Sequence, residues 1–394
     1  MPLSIERPSH YVSNSEQSRL LRRKIVVVGA GNGGCLTALH LAWYSPDDVE
    51  IELIYNPDIP PESVGQATTL AIPGLLGDAT GFTWHNNLLH ATPKSGILYE
   101  GWGKASSEIF HPFPPDRMAM HYCPWEMQKR ILNSGLFKVI EDDVDPKDVD
   151  AEYVFDCRGK PEDYSDYYEL INPINSCILG RPKWNTTEAL WSRHVATPDG
   201  WTFIIPTHSS SPSHDYCVGY SYNSNISTKE AAESNFLEMF DVEVTQHVTF
   251  KNYMAHNPIV DGRIFLNGNN LFFLDPLEST SGHAYLQWAR FAVDVIAGVT
   301  DSLQATYSMQ RYVQQIQNFV LWHYQGGSQY DTPFWDYARG FSIDDDEFYE
   351  MRDYVEDNKL SDLILRKEIA PDLKPSYALW GPTNFKYWSD GIKG

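Results

Sequence analysis

The chain has 394 residues and is strongly acidic, with 52 Asp and Glu residues against 30 Lys and Arg and a formal net charge of -22. This length allows one large domain or two ordinary domains with substantial cores. The negative charge argues against a broad surface for nucleic acid or anionic lipid, so we expect small ligands instead.

The cysteines, the histidines and the apolar runs of the sequence indicate its compartment and whether a metal site or a membrane span is expected. The five cysteines form no Cys-x-x-Cys pair, which is typical of a reduced cytosolic protein, and the 13 histidines show no zinc-site spacing, so no metal is predicted. Residues 1–23 are polar, and no apolar run reaches the ~18 residues of a membrane span. We therefore expect a soluble cytoplasmic protein with a flexible leader over 1–23 and no membrane partner; the sequence indicates no oligomeric state.

A nucleotide-binding pattern begins at residue 24. The apolar run 24–28 predicts a buried strand, 35–43 a helix and 49–55 a second strand, which together make a βαβ unit. The connecting turn is Gly29-Ala30-Gly31-Asn32-Gly33-Gly34, which fits the Gly-x-Gly-x-x-Gly pattern. In that pattern the first glycine permits the tight turn, the second lets a pyrophosphate approach the backbone, and the third lets the helix pack on the strand. The turn therefore predicts dinucleotide binding.

Two later segments bear on the same ligand. At the end of the second strand, Tyr55-Asn56 replaces the acidic residue that commonly binds ribose, so we expect loose cofactor binding. The strand 153–156 ends in Asp156 and is followed by Arg158-Gly159, which is typical of a chain that returns to a nucleotide. A plain turn at a strand end is an equally good interpretation of that segment.

The middle of the chain changes to short strands rich in aromatic and β-branched residues, such as 201–205 and 216–222. We interpret 160–255 as an inserted sheet that covers the cofactor. The Ser-rich loop 208–214 lies between these strands, and its histidines are interpreted as polar loop residues. From about Tyr307 the pattern becomes helical and aromatic-rich.

The segment 271–283 places a carboxylate and a turn of small residues at the start of a helix. Residues 271–274 predict a short buried strand, and Asp275-Pro276 mark its end. The helix that follows has an apolar face, predicted from Tyr285 to Val299, and its first N–H groups could hold an anion. From this segment alone, an ordinary capped helix with a solvated Glu278 is the simpler interpretation.

Five motifs in order resemble the flavin-dependent tryptophan halogenases over residues 24–335. They are the glycine turn, Val64-Gly65-Gln66-Ala67-Thr68, Gly200-Trp201-Thr202-Phe203-Ile204-Ile205-Pro206, Asp275-Pro276-Leu277-Glu278-Ser279-Thr280, and Phe319-x-x-x-His323-Tyr324 followed by Asp331-Thr332-Pro333-Phe334-Trp335. The resemblance implies an α/β protein with a Rossmann-like FAD-binding fold of the flavin monooxygenase type, an inserted β-sheet region and a C-terminal helical part. It divides the chain into a discontinuous FAD-binding domain over 24–335, with the substrate insert at about 160–255, and a short helical segment over 336–394.

The same resemblance implies the activity and its requirements. In this family reduced FAD and O2 convert a halide to hypohalous acid, which then reacts with an electron-rich aromatic substrate. Reduced FAD should come from a separate flavin reductase, because the sequence shows no module for NADH. Family members dedicated to free tryptophan have a longer C-terminal part, so we expect a more open site here that accepts varied aromatic compounds.

Site residues follow by position in the matching motifs. Lys94 and Glu278 are the implied catalytic residues, although Lys94 by itself would be interpreted as an ordinary exposed lysine. Its ammonium could hydrogen-bond to hypohalous acid or its amine could form a haloamine, and the sequence does not choose between these. The implied cofactor ligands are the residues of the glycine turn, Gln66, Ala67, Thr68, Asp156, Asp275 and Pro276.

Two further groups are implied by the resemblance. Thr280, Ser281 and Gly282 match the halide-binding turn, where Ser281 is an added side chain. Trp201, Phe203 and Pro206 match a wall that keeps the substrate from the flavin, although a core strand explains these three equally well.

Two other classes of protein remain open at this point. A flavin-dependent aromatic hydroxylase would share the glycine turn without needing Lys94 or the wall. A non-catalytic flavin-binding protein would need neither Lys94 nor Glu278.

Overall fold

The computed structural model describes residues 24–62, 64, 66–103, 108–114, 116–207, 217–357 and 376–393. The predicted leader 1–23, Gly65 and the loop 208–214 lie outside the described residues.

The described strands, in chain order, are β1 Lys24–Val28, β2 Glu50–Tyr55, β3 Gln66–Ala67, β4 Thr92–Lys94, β5 Gly96–Glu100, β6 Glu108–Pro112, β7 Ala119–Tyr122, β8 Lys138–Glu141, β9 Tyr153–Asp156, β10 Tyr167–Glu169, β11 Ser176–Pro182, β12 Ser192–Thr197, β13 Gly200–Ile204, β14 Val218–Tyr222, β15 Val242–Thr249, β16 Tyr253–Ala255, β17 Ile259–Val260, β18 Ile264–Leu266 and β19 Phe272–Phe273.

The helices lie between and after these strands. In chain order they are α1 Asn32–Tyr44, α2 Ala71–Thr80, α3 Pro124–Leu132, α4 Lys229–Met239, α5 Ser281–Ile296, α6 Ser302–Gly326, α7 Pro333–Arg339, α8 Asp346–Asp357 and α9 Pro382–Lys393. Two 3-10 turns, Gly268–Asn270 and Pro276–Glu278, flank the short strand β19.

A six-stranded sheet with the order β17-β18-β9-β1-β2-β8 carries the nucleotide-binding pattern. β1 pairs in parallel with β2 on one side and with β9 on the other, so the predicted βαβ unit is confirmed. The helix begins at Asn32 and not at the predicted Cys35, because the glycines of the turn already take helical geometry. The predicted α/β class with a Rossmann-like fold is confirmed.

The structure also contains a seven-stranded sheet with the order β15-β11-β14-β13-β12-β5-β6. Most of its strands come from the predicted insert, but β5 and β6 precede that segment in the chain and join β12 at its edge. Two three-stranded sheets, β3-β7-β4 and β10-β16-β19, complete the described strands. The larger sheet therefore brings residues from about 96–112 beside those from 192–204.

The helix predicted after Asp275 is α5, and its apolar face is buried at Tyr285, Trp288, Ala289 and Ala292. Val299 was expected on this face and is 54% exposed. The expectation fails because the helix ends at Ile296 and Gly298 then takes a left-handed conformation, with φ of 72°.

Close backbone contacts explain the glycines of the first turn. A Cβ on Gly29, where φ is 102°, would lie 2.5 Å from the Cys157 carbonyl oxygen, and one on Gly34 would lie 1.9 Å from the Gly29 oxygen. Both positions therefore need glycine so that β1, α1 and β9 can meet. Gly31 differs: a Cβ there would meet nothing closer than the Glu62 carboxylate at 3.9 Å, so the space in front of it is open to a ligand.

Gly34→Ala should lower the free energy of unfolding by roughly 3 kcal/mol, because the added methyl group overlaps backbone that cannot move without separating α1 from β1. Gly74→Ala is the matched control: this α2 glycine has nothing within 4 Å of its Cβ position, so the change should stabilise the protein by about 0.5–1 kcal/mol. Denaturant unfolding of the two cofactor-free variants measures both effects. Equal stability of the two variants would contradict this account of the turn.

Candidate active site

A cavity of about 480 Å³ lies at the carboxyl end of the six-stranded sheet, in front of the glycine turn. This volume is within the range of about 300–1,000 Å³ that is usual for ligand sites. Of the predicted cofactor, halide and wall residues, the cavity is lined by Gly29, Gly31, Asn32, Gly33, Gln66, Ala67, Pro276, Ser281, Gly282, Trp201 and Phe203.

The glycine turn fits a dinucleotide on two structural grounds. The opening in front of Gly31 lets a pyrophosphate reach the backbone, and the first N–H groups of α1 point to the same place without partners inside the helix. A side chain on Gly33 would collide with Gly268, 2.6 Å from its Cβ position, so the floor of the cavity must also be free of side chains. These residues would hold the diphosphate of FAD.

Four predicted cofactor ligands do not line the cavity. Gly34 lies behind the turn, and Thr68 uses its hydroxyl to accept the backbone N–H of Met120 at 3.0 Å. Asp156 and Asp275 are 4% and 2% exposed and bind other protein groups. Their direct contact with FAD stays a prediction that this geometry does not support.

Arg158 lines the cavity, whereas the predicted ligand Asp156 does not. Its guanidinium forms two hydrogen bonds of 2.9 Å with the Asp156 carboxylate and keeps 46% of its side chain exposed. Arg158 and Gly159 line the cavity, as do Tyr55 and Asn56 at the end of β2. Sequence reasoning named the strand-end motif but chose its buried carboxylate, whereas the cation at its surface is the group that can meet a phosphate or ribose.

Of the three residues of the predicted wall, Trp201 and Phe203 line the cavity, whereas Pro206 is buried and accepts a hydrogen bond from the Thr92 hydroxyl. Trp201 is completely buried. Its indole N–H donates to the Tyr324 hydroxyl at 2.8 Å, and that hydroxyl donates to the Asp275 carboxylate at 2.5 Å. The wall is therefore tied to α6 and to the turn that carries Glu278.

The predicted halide turn forms the start of α5. Ser279 takes a left-handed conformation with φ of 56°, Thr280 is the N-cap, and α5 begins at Ser281. Ser279, Ser281 and Gly282 line the cavity, whereas Thr280 is 2% exposed and does not. The first N–H groups of α5 thus lie at the cavity wall, where they can bind an anion.

Lys94 ends β4 and is completely buried, so it is not the exposed lysine that the sequence alone suggests. Its ammonium donates to the Thr68 carbonyl at 3.1 Å and lies 5.4 Å from the centre of the Phe113 ring. Burial lowers the pKa of Lys94 to about 7, while the charge of Glu278 opposes the shift. Near neutral pH this side chain is therefore a mixture of ammonium and amine.

Glu278 ends a 3-10 turn and is 5% exposed, so it too differs from the solvated glutamate of the simpler interpretation. The Tyr99 hydroxyl donates to its Oε1 at 2.5 Å, His323 Nε2 lies 2.8 Å from the same oxygen, and His111 Nδ1 lies 3.6 Å away. His323 Nε2 makes no aligned hydrogen bond, so its contact with Glu278 is a close approach of two polar atoms.

These neighbours decide the ionisation of the carboxyl group. Burial alone would raise the pKa of Glu278, but the neighbouring imidazoles of His111 and His323 lower it well below its usual value. Glu278 is therefore a carboxylate at neutral pH.

Sequence reasoning missed Tyr99 and His111 and gave His323 no role. Tyr99 is a buried residue of β5. The alternation of side chains along a short strand could have indicated its burial, but not its hydrogen bond with Glu278. No local signal marks His111, which reaches Glu278 from β6. His323 belonged to a recognised motif and could have been assigned with Glu278.

The side chains around Glu278 are covered by α9 in the described part of the chain, while the expected open substrate site stays a prediction. Trp388 of α9 stacks on His323 with ring centres 4.0 Å apart and an interplanar angle of 27°. Asn384 of the same helix contacts His111, with Nδ2 and Nε2 2.7 Å apart. The C-terminal helix therefore packs directly on both imidazoles that flank Glu278.

Among the described residues, none of the helices has the length and apolar character of a membrane span. The same residues contain no group of three or more acidic, His or Cys side chains that could hold a metal ion.

Comparison with known proteins identifies the family of this chain. The sequence matches the tryptophan halogenase family over residues 24–135 and 173–362. The chain therefore belongs to this family of flavin-dependent halogenases. No curated protein matches the sequence.

Several solved structures share the fold. A flavin-dependent halogenase from Brevundimonas sp. BAL3 has a TM-score of 0.73 and 16% identity, over 94% of this chain and 89% of its own. A tryptophan 6-halogenase from Streptomyces toxytricini has a TM-score of 0.70 and 17% identity, over 94% and 90%. A flavin-dependent halogenase from Xanthomonas campestris has a TM-score of 0.69 and 17% identity, over 95% and 94%.

Lys94→Met should raise the free energy of unfolding, by on the order of 3 kcal/mol below pH 7. The folded chain releases the Lys94 proton near pH 7, whereas an unfolded lysine holds it to about pH 10.5. Because the unfolded state binds more protons between these values, wild-type stability rises with pH across that window, and the advantage of the variant shrinks as pH approaches 10.5.

Denaturant unfolding at a series of pH values measures this difference. Lys183→Met is the matched control, because the Lys183 side chain is 59% exposed and should show no such dependence. A Lys94→Met difference that stays constant with pH would rule out a lowered pKa for Lys94.

Proposed function

We propose that the protein halogenates an electron-rich aromatic compound with reduced FAD, O2 and a halide, and that Lys94 and Glu278 direct the resulting hypohalous acid onto the ring. The observation that carries this proposal is the burial of two oppositely charged groups, 0% and 5% exposed, beside a cavity built for a dinucleotide. A protein that only binds flavin has no need of this pair, whose burial is costly.

Bound reduced FAD would supply, with O2, the oxidising power that converts halide to hypohalous acid. The chain's own groups organise what happens around it. The glycine turn and Arg158 hold the cofactor phosphates, the start of α5 holds the halide, and the wall of Trp201 and Phe203 separates the aromatic substrate from the flavin. This separation favours halogenation over the direct hydroxylation expected of a flavin hydroxylase.

Lys94 is suited to handle the oxidant in either of its two forms. The ammonium can donate a hydrogen bond to the oxygen of hypohalous acid and so make the halogen more electrophilic. The neutral amine, which a pKa of about 7 makes available, can take the halogen and release water. Both pathways need the dry surroundings that Thr68 and Phe113 give to the side chain.

Glu278 is suited to act on the aromatic ring. Its carboxylate can stabilise the positive charge that develops when the ring takes up halogen. It can then accept the proton from the substituted carbon, whose C–H electron pair returns to the ring. Tyr99, His111 and His323 all approach Oε1, so we assign the proton transfer to Oε2.

The substrate and the reductant remain parts of the proposal. Trp102, Phe319 and Trp388 pack against Tyr99 and His323, which contact Glu278, and we propose a planar aromatic substrate on this side of the wall. We propose a separate flavin reductase as the source of reduced FAD.

Lys94→Ala and Glu278→Gln should each lower the rate of halogenation by about 100-fold or more, because each removes a group that acts in the transfer step. The assay supplies reduced FAD, O2, bromide and an indole or a phenol, and mass spectrometry detects brominated product. Lys183→Ala, at an exposed lysine, is the control and should keep wild-type activity.

Each contrary result has a clear meaning. Hydroxylated product without any halogenated product from the wild type would replace the proposal with an aromatic hydroxylase. Full activity in Lys94→Ala would show that the site is assigned wrongly.

Ser281→Gly should shift halide use toward bromide and iodide by roughly 2- to 10-fold relative to chloride. The Ser281 hydroxyl narrows the turn and adds a hydrogen-bond donor, and both favour the smaller, more strongly hydrated chloride. Competition between equal concentrations of two halides, read from the product ratio, measures the change. Ser165→Gly, at an exposed loop serine, is the control, and an unchanged ratio in Ser281→Gly would place the halide elsewhere.

A further inference from the structure

One buried histidine lies between the cofactor cavity and the catalytic pair. His194 belongs to β12, is 2% exposed and lines the cavity, which neither Lys94 nor Glu278 does. The sheet register places it opposite Phe203 of the wall on one side and opposite Tyr99 on the other. Residues paired in this way share one face of the sheet, so the three side chains form a row from the cavity wall to the residue that binds Glu278.

Ring contacts confirm that row. The His194 ring centre lies 4.9 Å from that of Trp201 and 5.4 Å from that of Tyr99. Tyr99 in turn donates its hydroxyl to Glu278. A single imidazole therefore separates the space in front of the flavin site from the hydrogen-bonded carboxylate.

The imidazole has an unused polar atom. Nδ1 of His194 is buried and has no hydrogen-bond partner in the part of the chain that the structure describes. Leaving such an atom without a partner costs about 1–3 kcal/mol, so it indicates a ligand or a buried water. By contrast, both ring nitrogens of the nearby His121 have partners, the hydroxyls of Thr92 and Ser192 at 3.0 Å.

The protonation state of His194 suits a neutral oxidant. Burial, and after it the positive charge of Lys94 and that of His323, lower the pKa of His194 to about 3, while Glu278 opposes the shift. At neutral pH the ring is uncharged and offers one acceptor and one donor nitrogen. Hypohalous acid has one O–H donor and oxygen lone pairs, so it can form hydrogen bonds with a neutral imidazole. A positively charged side chain would instead favour loss of its proton and formation of hypohalite.

We propose that Nδ1 of His194 is a hydrogen-bonding site for hypohalous acid on its way from the cofactor cavity to Lys94 and Glu278. This inference rests on the proposed function and adds to it a residue that retains the oxidant. Retention matters because the cavity is also open toward solvent, where hypohalous acid would be lost to other nucleophiles. His194 is thereby expected to set the fraction of oxidant that reaches the aromatic ring.

The test measures how the oxidant divides between substrate and solvent. Wild type and variants receive reduced FAD, O2, bromide and an indole, together with taurine as a diffusible trap that becomes N-bromotaurine. His194→Phe keeps an aromatic wall and removes both nitrogens, and His194→Asn keeps a hydrogen-bonding group. His194→Leu is a second removal variant that cannot overfill the site if the phenylalanine variant fails to fold.

In His194→Phe or His194→Leu the ratio of bromotaurine to bromoindole should rise about 5- to 10-fold, the equivalent of one lost hydrogen bond, while the sum of the two products stays at the wild-type level. His194→Asn should return the ratio toward that of the wild type. His40→Phe is the matched control: His40 is also a buried histidine, packed on Tyr44 within α1, and its pKa is likewise lowered by burial, to about 4. It should leave the ratio unchanged.

The outcomes separate the inference from the function on which it rests. If the wild type forms neither product, the proposed function fails. If the wild type forms both and the removal variants keep its ratio, the function stands and His194 holds only a buried water. If the sum of bromotaurine and bromoindole falls while their ratio stays constant, His194 acts in halide oxidation, and this result would also overturn the inference.

Discussion

The Tyr324 hydroxyl is the contact on which the arrangement of the site depends. It accepts a hydrogen bond from Trp201 and donates one to Asp275, and so joins the cavity wall on β13, the long helix α6 and the turn before Glu278. Burial raises the pKa of Asp275 to about 7, although the hydrogen bonds from Tyr324 and Leu277 oppose the shift. All these groups are buried, where a hydrogen bond is strong and its loss is expensive. A change in any one of them should therefore alter both the cavity wall and the position of Glu278.

The same low-polarity interior sets the protonation of Lys94, Glu278 and His194. Burial lowers the pKa of Lys94 to about 7 and that of His194 to about 3, so the histidine is neutral. At Glu278 the neighbouring imidazoles of His111 and His323 outweigh burial and hold the pKa of the carboxyl group well below its usual value. Such divergence among neighbouring titratable groups is a mark of acid–base and transfer chemistry. The described cavity lining includes the glycine turn and the start of α5, whose backbone N–H groups suit phosphates and anions.

The sequence could predict what is local and not what is assembled over distance. The βαβ unit and its glycine turn follow from spacing within about 30 residues, and the structure has them. The helix after Glu278 also follows from its period, except at Val299, where the chain leaves the helix earlier than the pattern suggests. The burial of Lys94 could not be read from its neighbours, because β4 and β7 enclose it from different parts of the chain. Tyr99 and His111 could not be predicted for the same reason, and the position of Arg158 at the cavity depends on its hydrogen bonds with Asp156.

The contacts of α9 have a consequence for the order in which the protein becomes functional. The dinucleotide turn is made by residues close in sequence, whereas Asn384 reaches His111 across 273 residues. Contacts so distant in sequence form late, since closing a long loop must precede them. A chain still being synthesised can therefore assemble its cofactor turn well before Glu278 has its complete set of neighbours. Until the last helix docks, such an intermediate would be a flavin-binding protein without an organised transfer site.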